Sequence, residues 1–355
     1  MSSSREQPRT IILFRAGKIV FAISAHAKGF YKFRRLDAAR TRGSTMLEKI
    51  AGALRKAAGA ALKNKAAIPL LFLLAALLAA GSLGQNGQAD DSARIGVVRE
   101  PNAYCAFAEL GSGDPEYSVS VLDGYPALLA GLNSGELDAA ILPVQYFSGL
   151  DTGKCSVVAI TAYLNLTAVE NGGTASALSD LDGRTVILSE SIKGLPEMRM
   201  LDLLISRAGI FVQYTYLDDA ALLNAARRGD FDIMLLPPGE CAAVLLQNNN
   251  YRSCFNLASQ WTPLMGTQPP AGCMVVTSNA SFDKKAPGIA AFLHGVEAST
   301  EFISGKHKKA ATLIAASGLG GDYAYILKTI PRLMLHYADG EEMKEPLKQW
   351  EMLME

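Results

Sequence analysis

The stretch that decides the fold occurs twice: residues 126–146 read PALLAGLNSGELDAAILPVQY, and residues 220–240 read AALLNAARRGDFDIMLLPPGE. The two copies align without a gap at an offset of 94, with seven identical positions. Each copy predicts a helix with an apolar stripe. The helix ends at a glycine, because glycine readily takes the left-handed conformation that closes a helix.

In each copy a short acidic link leads into a continuous apolar run, which is typical of a strand buried on both faces. A proline ends each run, since proline cannot donate the next hydrogen bond of a sheet ladder. The repeat predicts two similar α/β lobes, each presenting the carboxyl end of a central strand, where ligands of open α/β sheets bind. The coinciding pairs are Ala127/Ala221, Leu128/Leu222, Leu129/Leu223, Gly135/Gly229, Asp138/Asp232, Leu142/Leu236 and Pro143/Pro237.

The composition is that of a globular chain with room for two domains of ordinary size: 355 residues, 49% hydrophobic and 19% charged. The net charge of zero conceals an asymmetry. Residues 1–65 carry 15 Lys/Arg against three acidic residues, a net of +12, which leaves −12 for residues 66–355. A basic head on an acidic body indicates a targeting segment, since a nucleic-acid-binding domain would carry its basic patch on the folded part.

The basic head leads into an uncharged apolar run, AAIPLLFLLAALLAA, at residues 66–80. Small residues follow it, so residues 46–82 have the pattern of a secretory signal peptide. We therefore expect an exported protein, periplasmic or otherwise extracytoplasmic. The pattern allows cleavage after Gly81 or Ser82, and it also allows an uncleaved signal that anchors the chain in the membrane.

Residues 1–45 form a basic extension ahead of that leader, with an apolar patch, IILFRAGKIVFAISA, and a basic run, KGFYKFRR. Signal peptides rarely begin so far before their apolar segment. Two interpretations stay open. Translation starts at Met46, or the extension is a true cytoplasmic segment.

The rest of the chain alternates strand-like and helix-like segments, which predicts mostly parallel sheets. The Ser/Gly loop at 189–194, just before a helix, offers free N–H groups and hydroxyls, either to a ligand or to cap the helix. Apart from the repeat copies, the predicted strands are 94–98, 117–122, 156–161, 164–169, a strand ending at Leu188, 212–217, 254–257 and 272–277. The predicted helices outside the repeat are 195–208, 286–305, 307–317, 322–337 and 341–354.

The order of these pieces resembles the extracytoplasmic solute-binding proteins of ABC importers, in particular the nitrate/sulfonate/taurine-binding family. The matching segments are ALLAGLNSGELDAAILPVQ, LSDLDGRTVILSESIKGLPEMRMLDLL, LLNAARRGDFDIMLLPPGE and PPAGCMVVTSNASFDKKAPGIAAFLHGVEASTEFI. The resemblance implies an α/β, two-lobed, type II periplasmic-binding-protein-like fold with hinge-linked lobes behind the signal segment. It implies crossovers near 163–178 and 268–278, with lobe I at 93–168 and 277–355 and lobe II at 169–276.

The resemblance also implies a ligand cleft built from the loops at 100–104, 143–146, 189–194, 237–240 and 260–268. Where the family often has an aromatic and acidic wall in lobe II, this chain has Pro237-Pro-Gly-Glu240. A buried carboxylate there suits a cationic or hydrogen-bond-donating ligand better than a sulfonate. The favoured ligand contacts are Tyr104, Gln145, Tyr146, Ser189, Ser191, Glu240, Trp261 and Gln268.

The main alternative is an enzyme of the same fold, acting on pyrimidine precursors or related small molecules with clustered Cys and His residues. Here His294, His307 and His336 all fall in the C-terminal region, and none has a Cys or carboxylate at metal-ligand spacing. The sequence therefore predicts no catalytic residue, no metal and no cofactor. The expected partners are a small-molecule ligand and an ABC permease of the cytoplasmic membrane, the protein itself being a monomer without nucleic acid.

The five cysteines leave two alternatives open, because an exported protein permits disulfides and connectivity cannot be read from sequence. One is two disulfides, Cys105–Cys155 and Cys241–Cys254, with Cys273 left over. The other is five buried free thiols.

Overall fold

The computed structural model describes residues 10–16, 19–25, 31–36 and 92–355, and the chain divides into two compact units, Met1–Gly87 and Gln88–Glu355. In the first unit, strands β1 (Thr10–Ala16), β2 (Ile19–Ala25) and β3 (Tyr31–Leu36) form an antiparallel sheet in chain order. The apolar patch of the N-terminal extension falls within β1, β2 and the two residues between them in sequence. The predicted signal region at 46–82 lies outside the described residues.

Two sheets form the framework of the second unit. One sheet has six strands in the order β14-β7-β13-β6-β4-β5, and the other has five in the order β10-β9-β11-β8-β12. Their bounds are β4 Ala93–Val98, β5 Tyr117–Leu122, β6 Ala139–Pro143, β7 Cys155–Tyr163, β8 Thr167–Asn171, β9 Thr185–Ser189, β10 Gln213–Leu217, β11 Ile233–Leu236, β12 Tyr251–Asn256, β13 Ala271–Ser278 and β14 Leu335–Asp339.

The two sheets share one strand order once β14 is set aside. β4 lies between β5 and β6 and runs parallel to both, and β9 lies in the same way between β10 and β11. β13 inserts antiparallel between β6 and β7, and β8 inserts antiparallel between β11 and β12. Within residues 92–355 the chain passes between the sheets after Tyr163 and returns before Ala271. The predicted strand at 164–169 begins at Thr167, because residues 164–166 form the first of these crossovers.

The helices of the second unit pack around these sheets, and none of the helices described in the structure is long and apolar enough to cross a membrane. Phe292 and Val296 of the helix Ala286–Gly305, together with Ile314 of the helix His307–Ser317, are fully buried against the six-stranded sheet. The helices are α1 Tyr125–Ser134, α2 Pro196–Ala208, α3 Asp219–Arg228, α4 Pro238–Leu245, α5 Leu257–Met265, α6 Asn279–Lys284, α7 Ala286–Gly305, α8 His307–Ser317, α9 Tyr323–Thr329 and α10 Lys344–Met354.

One predicted helix is wrong over its second half. The segment at 322–337 forms α9, a short 3-10 helix at Ile330–Arg332, and then β14, so His336 lies on a strand. Met334 takes a left-handed φ of 48°, which breaks the helix just before the strand. β14 pairs antiparallel with β7, and this long-range pairing overrides the local helix preference.

The repeat is confirmed in both copies. Gly135 and Gly229 end α1 and α3 in the left-handed conformation, with φ of 78° and 74°. β6 and β11 follow, each wholly buried and each hydrogen-bonded to a strand on both sides. The residues after β6 form a 3-10 helix, Val144–Gly149, rather than the predicted open loop.

Asp138 is the charged anchor of the first copy and is only 1% exposed. It accepts hydrogen bonds from Arg94 Nε at 3.0 Å, Ser281 Oγ at 2.6 Å and Lys285 Nζ at 2.9 Å. Burial alone would raise the pKa of Asp138, but these hydrogen bonds outweigh it and hold the pKa well below its usual range. Its counterpart Asp232 has a side chain 63% exposed, so the same repeat position has different roles in the two copies.

We predict that Asp138→Ala lowers the free energy of unfolding by about 3–5 kcal/mol, because it removes the carboxylate partner of Lys285, whose side chain is only 13% exposed, and of the more exposed Arg94. Asp232→Ala is the matched control, since it occupies the same repeat position on the surface, and should cost about 0–1 kcal/mol. Urea titrations of the two variants measure the difference. The stabilisation by Asp138 is complete above the pKa of an unfolded aspartate, about 3.9, and is lost as the pH falls further. Equal small losses in both variants would contradict this account.

Candidate functional site

Four segments follow the carboxyl ends of the inner strands, two from each sheet. In the six-stranded sheet, β4 leads into a 3-10 helix at Pro101–Ala106 and β6 into the one at Val144–Gly149. In the five-stranded sheet, β9 leads into a 3-10 helix at Glu190–Ile192 and β11 into α4. Strand ends of this kind form ligand sites in open α/β sheets.

The two lobes meet where α4 packs against α9. A Cβ atom added to Gly239, at the start of α4, would lie 2.7 Å from Tyr325 Oη and 3.8 Å from Pro101. A separation of 2.7 Å is below van der Waals contact, so the absence of a side chain at position 239 permits this close approach. The residue after Pro238 of the second repeat copy thus touches the segment that follows β4.

Beside this contact lies a cavity of about 370 Å³. Tyr104 Oη donates a hydrogen bond to Gly320 O at 3.0 Å, which ties the segment after β4 to the loop between α8 and α9. A volume of this size suits a small organic molecule. The cavity is lined by Arg99, Glu100, Pro101, Tyr104, Gly320, Gly321 and Tyr325.

Tyrosines surround Glu100. Burial raises the pKa of Tyr104, Tyr125 and Tyr325, and the negative charge of Glu100 raises each of them further. Tyr125 also stacks on Tyr146, with ring centroids 4.5 Å apart. Burial raises the pKa of Glu100 itself. These phenols stay neutral at physiological pH, so this wall is aromatic, with one carboxylate, Glu100, and one guanidinium, Arg99.

The wall contributed by lobe II carries a relay of hydroxyls that ends on Glu240. Ser189 Oγ donates to Ser191 Oγ at 2.8 Å, and Ser191 Oγ donates to Glu240 Oε1 at 2.7 Å. Glu240 Oε2 is buried and has no hydrogen-bond partner among the described residues. Burial raises the pKa of Glu240, and the hydrogen bond from Ser191 partly opposes that rise. One carboxylate oxygen is therefore left to accept a further donor.

Two other charged side chains of the predicted cleft loops are already paired. Lys193 Nζ lies 2.8 Å from Glu190 Oε1 and 4.6 Å from the centre of the Tyr216 ring. Their charges cancel locally. The charged residues that line the cavity are Arg99 and Glu100, and Glu240 lies in the first turn of the neighbouring α4.

The eight predicted contacts are distributed unevenly. Tyr104 lines the cavity, and Ser189, Ser191 and Glu240 form the relay. Trp261 is fully buried in the hydrophobic core, where its Nε1 donates to Thr267 Oγ1 at 3.0 Å. Gln145 and Tyr146 are half-buried in the 3-10 helix after β6, and Gln268 is exposed in the returning segment. As ligand contacts, all eight stay predictions.

Sequence reasoning missed Tyr125, Tyr325 and Asn102, whose Nδ2 donates to Tyr125 Oη at 3.3 Å. Asn102 lies within the predicted loop at 100–104, so its position carried a signal. Tyr125 precedes Pro126 at the start of α1, and Tyr325 falls in a segment predicted as an outer helix. For these two, only the tertiary packing of α1 and α9 reveals the position.

All five cysteines are free thiols in the structure, and four of them are buried as the second alternative has it, whereas Cys254 is partly exposed. Burial raises the pKa of Cys241, Cys254 and Cys273 to about 12 each. Thiols with such values are protonated and unreactive at neutral pH. Within residues 92–355, no group of three or more His, Cys, Asp or Glu side chains is arranged to hold a metal ion.

Several solved structures share the fold, although no family model and no curated protein matches the chain in sequence. One is an ABC transporter from Parabacteroides distasonis, with a TM-score of 0.57, 18% identity, and 75% of this chain and 92% of that chain covered. Another is the periplasmic aliphatic sulphonate binding protein SsuA from Escherichia coli, with a TM-score of 0.56, 19% identity, and 75% of this chain and 87% of that chain covered. A third is the ligand binding component of an ABC-type import system from Staphylococcus aureus, with a TM-score of 0.52, 13% identity, and 75% of this chain and 91% of that chain covered.

The chain therefore has the two-lobed α/β fold of periplasmic binding proteins, and the predicted resemblance to that class is confirmed at the level of fold. At these identities the likeness carries the architecture and leaves the ligand to be argued from the cleft.

Because Trp261 is fully buried and Tyr146 is half-buried, removing the two side chains should cost different amounts of stability. Trp261→Ala should lower the free energy of unfolding by about 3–5 kcal/mol, because it empties a large core position. Tyr146→Ala should cost about 0.5–1.5 kcal/mol, mainly the stacking on Tyr125. Guanidinium titrations distinguish them. A Trp261→Ala variant as stable as the parent would show that the indole is dispensable to the core.

Proposed function

We propose that the protein is an extracytoplasmic solute-binding protein, which captures a small molecule between its two lobes for an ABC importer. The observation that carries this proposal is the 370 Å³ cavity beside the contact between α4 and Tyr325 of α9. The residues that line the cavity belong to the first proposed lobe, and α4 of the other proposed lobe packs beside it. Movement of α4 relative to α9 would change access to the cavity. The role is one of binding rather than catalysis.

The proposed lobes are residues 93–168 with 277–355, and residues 169–276. The first crossover between them is fixed by Asn165. Its Nδ2 donates to Arg332 O at 3.0 Å, and its Oδ1 accepts from Ala258 N at 3.2 Å. Asn165 thus holds a segment from each side. A short crossover pinned in this way is suited to act as a hinge for rigid-body closure.

The proposed ligand contacts fall into two groups with different chemistry. The rings of Tyr104 and Tyr146 provide apolar surface, and the hydroxyl of Ser191 and the carboxylate of Glu240 orient the ligand. Ser189 acts through Ser191, since its Oγ donates to that hydroxyl. Gln145 and Gln268 supply amide groups at the edge of the cleft.

The proposed location follows from the N-terminal pattern together with the fold. A signal segment at 46–82 would deliver the binding unit across the cytoplasmic membrane, where an ABC permease receives the ligand. Cleavage after Gly81 or Ser82 would release a free binding protein, and an uncleaved segment would keep it at the membrane surface. Both arrangements serve an importer.

A thermal-shift screen of the full chain tests the proposed function. The panel contains alkanesulfonates, nitrate, pyrimidines, polyamines, other amines and amino acids. A compound that binds only the folded state stabilises it by about 2.7 kcal/mol at 100 times its Kd, so the melting temperature should rise with concentration. If no compound in the panel raises it, the binding proposal fails.

Gly239 offers a second test, because closure brings it against Tyr325. Gly239→Ala should lower the affinity for the compound found in the screen by about tenfold, about 1.4 kcal/mol, since the new methyl group collides with Tyr325 Oη. Tyr325→Phe removes that oxygen while keeping the ring. The double variant should recover most of the affinity. Equal binding by Gly239→Ala and the parent would contradict closure at this contact.

A further inference from the structure

We propose that the ligand is an organic cation, an alkylammonium compound, whose positive group is held between Glu100 of one lobe and Glu240 of the other. The inference rests on the proposed binding function and specifies the chemical class that the site selects. Charge, aromatic lining and one unsatisfied acceptor support it independently.

The charge balance of the cavity is negative. Arg99 and Glu100 line the cavity, and the charge of Glu240 acts on Tyr325 of its lining, so with both carboxyl groups ionised the three charges sum to −1. Asp219, at the start of α3, adds a further negative charge that is felt at Glu240. Lys193 does not offset this, because it is paired with Glu190. A cation entering the cleft relieves repulsion that an anion would increase.

The two carboxylates flank one contact, since Glu100 precedes Pro101 and Glu240 follows Gly239 in sequence. A Cβ atom on Gly239 would lie 3.8 Å from Pro101 and 2.7 Å from the hydroxyl of Tyr325. The negative charges of Glu100 and Glu240 both raise the pKa of the Tyr325 phenol, so both lie near the same hydroxyl. One carboxylate belongs to the segment after β4 and the other to the first turn of α4. Closure without a ligand brings like charges together. A cation placed between them converts that repulsion into attraction and favours the closed state.

Aromatic rings line the lobe I side. Tyr104 and Tyr325 line the cavity itself, and the stacked pair Tyr125 and Tyr146 stands behind Glu100. The faces of such rings are electronegative and attract ammonium groups, by about 0.5–2 kcal/mol for each well-placed ring. Rings beside carboxylates form a site that accepts alkylammonium groups and offers little to sulfonate or nitrate.

Glu240 occupies the position where an anionic ligand would otherwise bind. Helix N-termini attract anions through their free N–H groups and dipole. At α4 this place is taken by the helix's own first-turn carboxylate. Glu240 Oε1 is satisfied by Ser191, and Oε2 is buried without a partner. An N–H donor or a cation on the ligand would give Glu240 Oε2 the partner that it lacks.

Isothermal titration of the full chain with choline, ethanolamine and putrescine tests the proposal, with ethanesulfonate and nitrate as anions. At least one cation should bind, and Glu240→Gln should weaken it at least tenfold. The double variant Glu190→Gln/Lys193→Gln is the matched control, because it removes the neighbouring ion pair without changing the net charge, and it should change the affinity by less than twofold. For choline, the uncharged isostere 3,3-dimethyl-1-butanol should not bind.

The outcomes separate the ligand class from the function. Binding of an anion without any cation overturns the class and leaves the binding function standing. Failure of every compound here and in the wider screen overturns both. A cation that binds Glu240→Gln as tightly as the parent overturns the assignment of its site. Glu240→Gln should melt no lower than the parent, which shows that a loss of binding is not a loss of folding.

The pH dependence gives an independent readout with choline, whose charge does not change. Burial raises the pKa of both Glu100 and Glu240, and the cation binds their ionised forms. Affinity should therefore increase as the pH rises from about 4 to 7, and this slope should vanish in the Glu100→Gln/Glu240→Gln double variant. The other charged or titratable groups near these carboxylates are Arg99, Tyr104, Tyr125, Asp219 and Tyr325. Burial raises the pKa of the three tyrosines, so their phenols stay protonated throughout this pH range.

Discussion

Burial of β6 and β11 on both faces is the constraint on which the rest of the second unit depends. Neither strand has a polar face to expose, so each must lie inside a sheet with helices on both sides. The same sequence unit builds both strands, and the two sheets consequently share one strand order. The chain beyond each strand must then emerge at the carboxyl edge. Both walls of the proposed ligand cleft follow from that single geometric requirement.

The repeat also explains why similar units can have different tasks. Their buried parts coincide in sequence because the packing requirement is the same. The aspartates at the shared position have diverged, since Asp138 is locked among Arg94, Ser281 and Lys285 and Asp232 lies on the surface. The residues beyond the two prolines diverge further. Where one copy continues into Tyr146, the other places Gly239 and Glu240 at the contact between the lobes.

Local pattern predicted the parts of the fold that are held by local physics. The apolar runs and left-handed glycines located the strands and helices of both copies. The helix predicted at 322–337 was wrong over its second half, because that half pairs with β7, more than 150 residues away in sequence. Tyr325 could not be assigned to the cleft for the same reason. Its position depends on how α9 packs against α4, which no local pattern encodes. The burial of Trp261 in the hydrophobic core could not be predicted either, since an aromatic residue in a cleft loop and one in the core look alike in sequence.

The central claim is that ligand is held between the two lobes, and hydrogen–deuterium exchange with and without the compound that gives the largest thermal shift tests it most directly. The account predicts slower exchange in residues 99–106 and in residues 237–242 together, because closure buries both segments against one ligand. Slower exchange in only one of the two segments, or in neither, would contradict it.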